Sequence, residues 1–288
     1  MSTAGRPAAA GDDDDDELER LRAEVRHLRA RARVRPLISQ AQGMLQERYA
    51  LADGESAFAL MQQASQRYNV KLRTLADVLV TAPRPGDGEP LWFPRRVRLP
   101  PPDLTFTTVP ASGAPSRSAV LRAVLNHTLT VTDTGMGNVQ LPDRARGGLR
   151  IEEHTGLTPD FVDFFAHVGE DGTSCARAAR DVAQITVRDV ESDPVFTGPA
   201  RRAILAAGSR ACHSVPLTTP SGLCVGMVSA HMDRPLRGLT TAQTKALDAM
   251  GAQAGRWLAW HDRTVVLDAL EHLHALGRAR RGARLRRS

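Results

Sequence analysis

The sequence is poor in several features that mark particular classes of protein. Its 288 residues include three cysteines without CxxC spacing, which argues against a disulfide framework and for a reducing compartment. No run approaches the roughly 20 apolar residues that a membrane span needs. The first ten residues also lack the charged-then-apolar layout of a secretion signal. We therefore expect a cytoplasmic protein without membrane association.

Aromatic residues make up only 4% of the chain, so any core must be built mainly from aliphatic side chains and methionine. Hydrophobic content of 42% and charged content of 24% are ordinary for a globular protein. Thirty-eight basic residues against 32 acidic ones give a net charge of +6, which permits a polyanionic partner without requiring one. The length predicts about two domains.

The N-terminal segment changes character at Glu17. Residues 1–16 end in the acidic run Asp12–Asp16 and are predicted to be a disordered tail, because like charges repel. Residues 17–35 predict a coiled-coil helix and hence a homodimer, because apolar residues recur at spacings of three and four. These apolar positions are Leu18, Leu21, Val25, Leu28 and Ala32. A solvated helix is the alternative, since only about two heptads are present.

A small helical bundle is predicted over residues 36–82. Helical spacing of apolar residues continues past Pro36, Asp53 is the expected N-cap of a second helix, and Asn69 marks the turn before a third. Residues 83–116 hold nine of the eighteen prolines and predict a semi-rigid linker. Trp92 and Phe93 are unusual in a spacer, and we expect them to anchor it onto a domain.

Residues 117–265 predict a second domain. A helix precedes strands near 138–141 and 149–153, and helical segments flank a further strand at 184–187. Two apolar strands, 211–217 and 224–231, bracket a Thr-Pro-Ser-Gly turn and form an antiparallel hairpin, after which a long helix begins near Thr240. Residues 266–288 are predicted to be the end of that helix and an arginine-rich tail, which either attracts nucleic acid or is only charged and disordered.

The predicted fold class is therefore α+β with two domains. An N-terminal coiled-coil helix and a three-helix bundle come first. A domain with a central antiparallel β-sheet flanked by helices follows.

A first resemblance rests on residues of the three predicted short helices. Ile38-Ser-Gln-Ala-Gln-Gly-Met-Leu45, Glu55-Ser-Ala-Phe58 and Asn69-Val-Lys-Leu72 occur at intervals that resemble the ANTAR family over roughly residues 30–82. Members are three-helix RNA-binding modules of transcription antitermination regulators, usually extended by a coiled coil. The family carries Ala-Lys-Gly on its first helix, where this chain has Ala41-Gln42-Gly43.

The ANTAR resemblance implies that the partner is RNA, in the form of hairpin loops in nascent transcripts. Unstacked loop bases are what proteins recognise most readily in RNA, and basic side chains would contact the phosphates. The candidate RNA-binding residues are Arg35, Gln42, Gly43, Arg48, Arg67, Asn69, Lys71 and Arg73. The alternative is that they are solvated helix surfaces.

A second resemblance covers nearly the whole of the second domain. Blocks such as Gly172-Thr-Ser-Cys-Ala176, Ser214-Val-Pro-Leu217 and Gly226-Met-Val-Ser229 are similar to the GAF family. GAF domains are sensory and dimerising modules that hold small ligands against their sheet, so the resemblance implies an unknown small-molecule ligand or a redox signal. The candidate pocket residues are Cys175, Asp189, Ser214 and Ser229. Cys175 is the best candidate for a thiol sensor. The alternative is that Cys175 acts only as a small buried apolar residue.

No catalytic pattern stands out in the sequence. It has no Ser-His-Asp elbow and no phosphate loop, and its histidines lack the spacing of a metal site. We therefore expect no catalytic residues, no metal and no cofactor. The interpretation is an RNA-binding transcription antitermination regulator in which a GAF-like sensor controls an ANTAR-like module. The alternative is a protein-interaction or stress-signalling adaptor with a GAF domain and no RNA binding.

Overall fold

The computed structural model describes residues 10–86, 88–107 and 115–286. The N-terminal helices are α1 (Ala10–Tyr49), α2 (Gly54–Tyr68) and α3 (Leu72–Thr81). Asp53 begins α2 as predicted, because its carboxylate accepts a hydrogen bond of 2.7 Å from the Ser56 amide. Asn69 ends α2 in the left-handed conformation with φ of 50°, which confirms the predicted turn.

Helix α1 begins earlier than the sequence predicted. Residues 10–16, expected to belong to a disordered tail, are helical. Acidic residues favour the positive end of a helix dipole, which accounts for a helix that extends through Asp12–Asp16. The helix also continues through the exposed Pro36 without a break, so the predicted coiled-coil segment and first bundle helix are one element. The remainder of the predicted tail, residues 1–9, lies outside the described residues.

The C-terminal domain is built on five antiparallel strands in the order β2-β1-β5-β4-β3. The strands are β1 (Met136–Pro142), β2 (Leu149–Thr155), β3 (Ile185–Val187), β4 (Ala211–Thr218) and β5 (Cys224–Met232). The helices of this region are α4 (Arg117–Thr132), α5 (Pro159–Phe164), α6 (Ser174–Asp181) and α7 (Gly198–Ala206). The arrangement confirms the predicted α+β class with a central antiparallel sheet flanked by helices, and β4 with β5 is the predicted hairpin.

The two faces of the sheet carry different cores. Side chains alternate between the faces along each strand, so Val139 and Val228 point into one core and Cys212 and Met227 into the other. Helix α4 contributes Leu121 to the first core. The second core lies under α5, α6 and α7. This second face holds the candidate sensory residues.

The C-terminal helices complete both domains. They are α8 (Thr241–His261), a π-helical turn (Asp262–Val266) and α9 (Leu267–Leu285), which follow one another directly. Trp257 of α8 is buried against the sheet, whereas Leu270 of α9 is buried in the same cluster as Leu45 of α1. Gly277 allows this approach, because a Cβ there would lie 2.6 Å from Cε2 of Tyr49. The predicted helix end and arginine-rich tail is therefore helical through Leu285, and Leu270 and Leu273 are buried in the bundle core.

The first part of the predicted linker lies against α9. Trp92 is 4% exposed, and its indole Nε1 donates a hydrogen bond of 2.8 Å to the Pro83 carbonyl. The backbone amides of Trp92 and Phe93 donate to the Glu271 carboxylate over 2.8 and 2.7 Å. These contacts confirm that Trp92 and Phe93 anchor the linker, and they fix it to the helix that joins the two domains.

Candidate nucleic-acid interface and sensory cluster

The start of α3 faces the sheet domain. Lys71, which directly precedes α3, places its Nζ 2.7 Å from Oε2 of Glu152 on β2. Arg73, in the first turn, places its Nη2 2.6 Å from Oδ2 of Asp143, just after β1. Two candidate RNA-binding cations are thus paired with carboxylates of the other domain.

The carboxylates in these two ion pairs are almost fully buried. The side chain of Asp143 is 4% exposed and that of Glu152 is 7% exposed, and Glu152 also contacts Arg150 beside it on β2. By contrast, the side chain of Lys71 is 51% exposed. The sheet domain therefore presents two fixed anionic groups to side chains that reach them from the bundle.

Burial changes the titration of this interface. It lowers the pKa of Lys71, against the opposing effect of Glu153, and raises the pKa of Asp77 on α3. It also lowers the pKa of Arg150 to about 10, with Arg73 acting in the same direction. Because desolvating charges is costly even when they are paired, the net stabilisation from these ion pairs is small relative to their number.

A cleft remains beside these ion pairs. It has a volume of about 380 Å³ and lies between the α2–α3 turn, the start of α4 and the end of α8. Its lining includes Asn69, Lys71, Arg117, Glu152 and His261. The contact between the domains is therefore polar and incompletely packed, unlike the two cores.

Four of the candidate RNA-binding residues lie on the open surface of the bundle. They are Arg35 and Gly43 on α1, Arg67 in the last turn of α2, and Asn69 at its C-cap. A Cβ built on Gly43 would meet no atom within 4 Å, so a ligand backbone could approach closely there. These four residues are exposed in the arrangement in which Lys71 and Arg73 are paired with carboxylates.

Two further candidates have internal roles. The partly buried Gln42 donates a hydrogen bond of 2.8 Å from Nε2 to the Gly54 carbonyl and so links α1 to the start of α2. Arg48 is 8% exposed, with Cζ 4.5 Å from the centre of the Trp92 ring. Arg48 therefore lies beneath the linker rather than on an exposed RNA-binding face.

Helix α1 makes a second set of ion pairs that the sequence analysis did not anticipate. Arg29 and Arg33 lie 3.0 and 2.7 Å from the Asp163 carboxylate of α5, and Arg26 lies 3.2 Å from Asp160. Burial raises the pKa of Asp163, but the hydrogen bonds from Arg33 and Arg29 outweigh it and hold that pKa below its usual range. Three arginines of the predicted coiled-coil segment thus have anionic partners on α5 of the same chain.

Three of the four predicted pocket residues lie together on the second face of the sheet. Ser214 and Ser229 hydrogen-bond across β4 and β5 over 2.9 Å, and Ser174 of α6 lies 3.1 Å from Ser214. Cys175 follows Ser174 and is itself buried. Asp189 lies apart, in the loop after β3, where its carboxylate accepts a hydrogen bond of 3.0 Å from the Glu191 amide.

This buried polar cluster also contains residues that the sequence analysis missed. Asn138 and Gln140 of β1 point to the same face; they are 3% and 2% exposed, and Oδ1 and Oε1 of these two amides have no hydrogen-bond partner among the described residues. The signal was present in the sequence, because polar residues alternate with Val139 and Leu141 along a strand that is otherwise apolar. Buried amide oxygens of this kind are suited to a hydrogen-bond donor on a ligand.

The cysteines are thiols in this environment. Burial raises the pKa of Cys175 and Cys224, and it raises that of Cys212 to about 12. Because the thiolate is the reactive form, oxidation of these residues is disfavoured. Burial of the three thiols thus argues against a thiol signal.

Within the described residues, no group of three or more His, Cys, Asp and Glu side chains is placed to hold a metal ion. None of the helices in the described part of the chain combines the length and the apolar character that crossing a bilayer requires.

Solved structures similar to this chain include two GAF domains and one enzyme. The GAF domain/HD domain protein from Geobacter sulfurreducens has 18% identity and a TM-score of 0.44, covering 53% of this chain and 98% of its own. The second GAF domain of DevS from Mycobacterium smegmatis has 23% identity and a TM-score of 0.38, covering 50% and 92%. Type II free methionine-R-sulfoxide reductase from Thermoplasma acidophilum has 14% identity and a TM-score of 0.40, covering 51% and 92%. At these values the similarity gives no information on ligand or activity.

Sequence comparison gives a match in the N-terminal part of the chain. A search of curated proteins found no significant match. The family model of the ANTAR domain matches residues 26–80. Residues 26–80, from within α1 to the last turn of α3, therefore have the sequence of an ANTAR domain, which confirms the first resemblance.

Proposed function

We propose that this protein is an RNA-binding transcription antitermination regulator. Its ANTAR domain binds RNA hairpin loops, and the GAF-like domain controls that binding. The observation that carries the proposal is the pairing of Lys71 with Glu152 and of Arg73 with Asp143 across the two domains. The same two cations would be needed for phosphate groups of RNA, so pairing with the sheet domain and binding of RNA compete.

This competition would allow the sheet domain to regulate RNA binding by the bundle. A carboxylate and a phosphate offer the same type of acceptor to lysine and arginine, and the buried carboxylates of Asp143 and Glu152 are held in fixed positions. The closed arrangement thus leaves Arg35, Arg67, Asn69 and Gly43 as a partial RNA surface. Opening the domains adds Lys71 and Arg73 and increases affinity for RNA.

The signal that opens the domains is a small molecule. The buried cluster of Asn138, Gln140, Ser214 and Ser229 supplies polar groups for it, whereas the raised pKa of the Cys175 thiol argues against oxidation. Control requires that the ligand bind the open and closed states with different affinity. Strand β2 carries Glu152 and pairs directly with β1, which carries Asn138 and Gln140. A ligand bound at the cluster would therefore contact the strand next to the one that carries Glu152.

The protein acts as a homodimer through α1. Leu18, Leu21, Val25 and Leu28 are between 43% and 55% exposed and follow one another at coiled-coil spacing. A second copy of the same seam would cover them. A dimer would hold two ANTAR domains at a defined separation.

The proposal is tested by fluorescence anisotropy with a labelled RNA hairpin and a fully paired RNA of equal length. We expect saturable binding with preference for the unpaired loop and a steep decrease in affinity with salt. Substituting the exposed Arg35 and Arg67 by glutamine weakens binding roughly tenfold. The matched control replaces Arg177 and Arg202, exposed arginines on α6 and α7, and changes affinity little. Absence of binding at low salt would favour the protein-interaction adaptor.

A further inference from the structure

The end of α1 and the last turns of α9 enclose a cavity rich in arginine. Its volume is about 550 Å³, and the loop that contains Arg84 and Gly86 forms a third wall. The lining side chains that matter here are Arg48, Tyr49, Arg84, His274, Arg278 and Arg281. We call this space the arginine cavity. Four of its six named residues carry a guanidinium group.

Arg48 is one of the buried side chains that line the arginine cavity. It is 8% exposed and stacks on Trp92, yet its Nε and Nη1 atoms are buried and have no hydrogen-bond partner among the described residues. A buried donor without a partner is costly, and more so when it belongs to a charged group. These donors are therefore suited to a strong anionic acceptor that enters the cavity.

Among the described residues that line the arginine cavity, basic side chains outnumber acidic ones. Glu47 is the one residue with a carboxylate side chain among the described residues that line the cavity. Its Oε1 lies 3.8 Å from Nη1 of Arg84. Arg281 donates to the Arg48 carbonyl over 3.3 Å, and Arg278 donates to the Gly88 carbonyl over 2.7 Å. These bonds orient two guanidinium groups but do not neutralise them. Their mutual repulsion falls when an anion lies between them.

The remaining polar pair adds no negative charge. The Tyr49 hydroxyl lies 2.7 Å from Nδ1 of His274, and Nε2 of His274 lies 3.0 Å from the Glu89 carbonyl, to which it donates. Nδ1 is then the acceptor for the tyrosine hydroxyl. Burial raises the pKa of Tyr49 to about 12, against the opposing effect of Arg48, and burial lowers the pKa of His274. Both side chains are thus neutral at neutral pH.

We propose that the arginine cavity is a binding site for a small phosphate compound, with its phosphate groups held by Arg48, Arg84, Arg278 and Arg281. Planar guanidinium groups match phosphate oxygens in pairs, and the volume admits a ligand with two phosphate groups. The site is separate from the polar cluster of the sheet domain. The arginine cavity adjoins the core of the helical bundle, whereas the polar cluster adjoins the core under α5, α6 and α7.

Such a ligand would join three segments of the chain. It would contact the end of the ANTAR domain's first helix, the loop after α3 and the C-terminal helix α9. Binding to the docked form alone stabilises that form by mass action. The phosphate compound would therefore hold α9 on the bundle and raise the melting temperature of the protein.

Isothermal titration of the full chain with inorganic pyrophosphate, at constant ionic strength, tests the site. We expect one saturable site per chain. Replacing Arg84 and Arg281, both exposed at the rim, by glutamine weakens binding roughly tenfold or more. The matched control, R263Q/R280Q, removes two exposed charges from the same C-terminal segment outside the cavity and changes affinity less than about twofold. Circular dichroism of each variant verifies that it is folded.

Three results would overturn the proposal. Absence of saturable binding would mean that the cavity does not bind pyrophosphate. An equal loss of affinity in R84Q/R281Q and R263Q/R280Q would mean that pyrophosphate responds only to net charge. Displacement of bound pyrophosphate by hairpin RNA would assign the arginine cavity to the RNA backbone instead of a free phosphate compound. Retention of pyrophosphate in the presence of RNA supports the separate site. Because this titration contains no RNA in its first arm, failure of RNA binding does not affect it.

Discussion

Arg73 of α3 and Asp143, just after β1, form an ion pair with 2.6 Å between Nη2 and Oδ2. The carboxylate is 4% exposed and the guanidinium 24% exposed, so the arginine reaches from the bundle into the surface of the sheet domain. The acid belongs to the sheet domain and the cation to the helical bundle. Separation of the two domains would therefore free Arg73 for another anionic partner.

The first prediction concerns removal of the two acids that occupy Lys71 and Arg73. The variant D143N/E152Q keeps side-chain shape but no longer attracts the cations, so RNA gains two phosphate contacts. We expect affinity for hairpin RNA to rise roughly tenfold, and the slope of log K against log salt to steepen by about 1.4 for two single-stranded contacts. Fluorescence anisotropy between 50 and 200 mM salt, about the range over which such contacts respond, measures both.

The control for this variant is E170Q/D233N. It removes two exposed carboxylates from other loops of the sheet domain and gives the same net charge. Affinity equal to that of D143N/E152Q would show that overall charge, and not release of Lys71 and Arg73, is responsible. Unchanged affinity in D143N/E152Q, with a normal melting temperature, would contradict competition between the acids and RNA.

The second prediction concerns the position where the ANTAR family carries lysine. Gln42→Lys adds a cation on α1, and a lysine amine can still donate to the Gly54 carbonyl that Gln42 now contacts. We expect RNA affinity to increase several-fold and the salt slope to steepen by about 0.7, as one added phosphate contact requires. Gln40→Lys is the matched control, because its exposed side chain lies two residues away and points to another side of the helix. Equal effects of the two variants would remove Gln42 from the RNA-binding face.

Local features of this fold were predictable from the sequence because short-range chemistry determines them. Asp53 and Asn69 have the side chains that helix ends prefer, and both lie at the predicted ends. The β4–β5 hairpin follows from two apolar runs and the turn residues between them. Cys175, Ser214 and Ser229 come together because α6 crosses the polar face of these strands.

The contacts that control the candidate site could not be predicted in this way. Arg73 and Asp143 are 70 positions apart, and Lys71 and Glu152 are 81 apart, so their pairing depends on how two domains dock. The packing of α9 was obscured by its arginines, which made residues 266–288 resemble a tail although Leu270 and Leu273 are fully buried. Arginines lie on the exposed face of this helix and are prominent in its composition. Its apolar face packs against a core formed by residues far away in the sequence, which composition does not reveal.

The third prediction concerns the dimer. Leu21 and Leu28 are 48% and 55% exposed on α1, and burying them in a coiled coil would favour association. We expect the protein to sediment as a dimer and L21Q/L28Q to sediment as a monomer at micromolar concentration. The control V97Q/L223Q changes two apolar residues that are at least as exposed but lie away from α1. A monomeric parent protein, or a dimer that persists in L21Q/L28Q, would contradict the α1 interface.

The fourth prediction concerns acid stability and rests on His231. This β5 residue is 5% exposed, its ring meets Phe161 edge to face, and a hydrogen bond of 3.0 Å links its Nδ1 to the Ser209 hydroxyl. Burial lowers the pKa of His231 to about 4, compared with a usual value of 6.5. Between these values the unfolded chain binds a proton that the folded chain does not. Stability is therefore fully present above pH 6.5 and decreases as the pH falls towards 4.

His231 alone accounts for a loss of up to about 3 kcal/mol across this range. His213, whose pKa burial also lowers to about 4, contributes in the same direction and remains in the variant. His231→Asn removes one titrating group, so urea unfolding between pH 4.5 and 7.5 should show a shallower loss of stability than in the parent. The exposed His154→Asn should retain the parent's pH dependence. Parallel profiles for His231→Asn and the parent would mean that protonation of His231 does not oppose folding, and that the polar face of the sheet admits charge more readily than its burial implies.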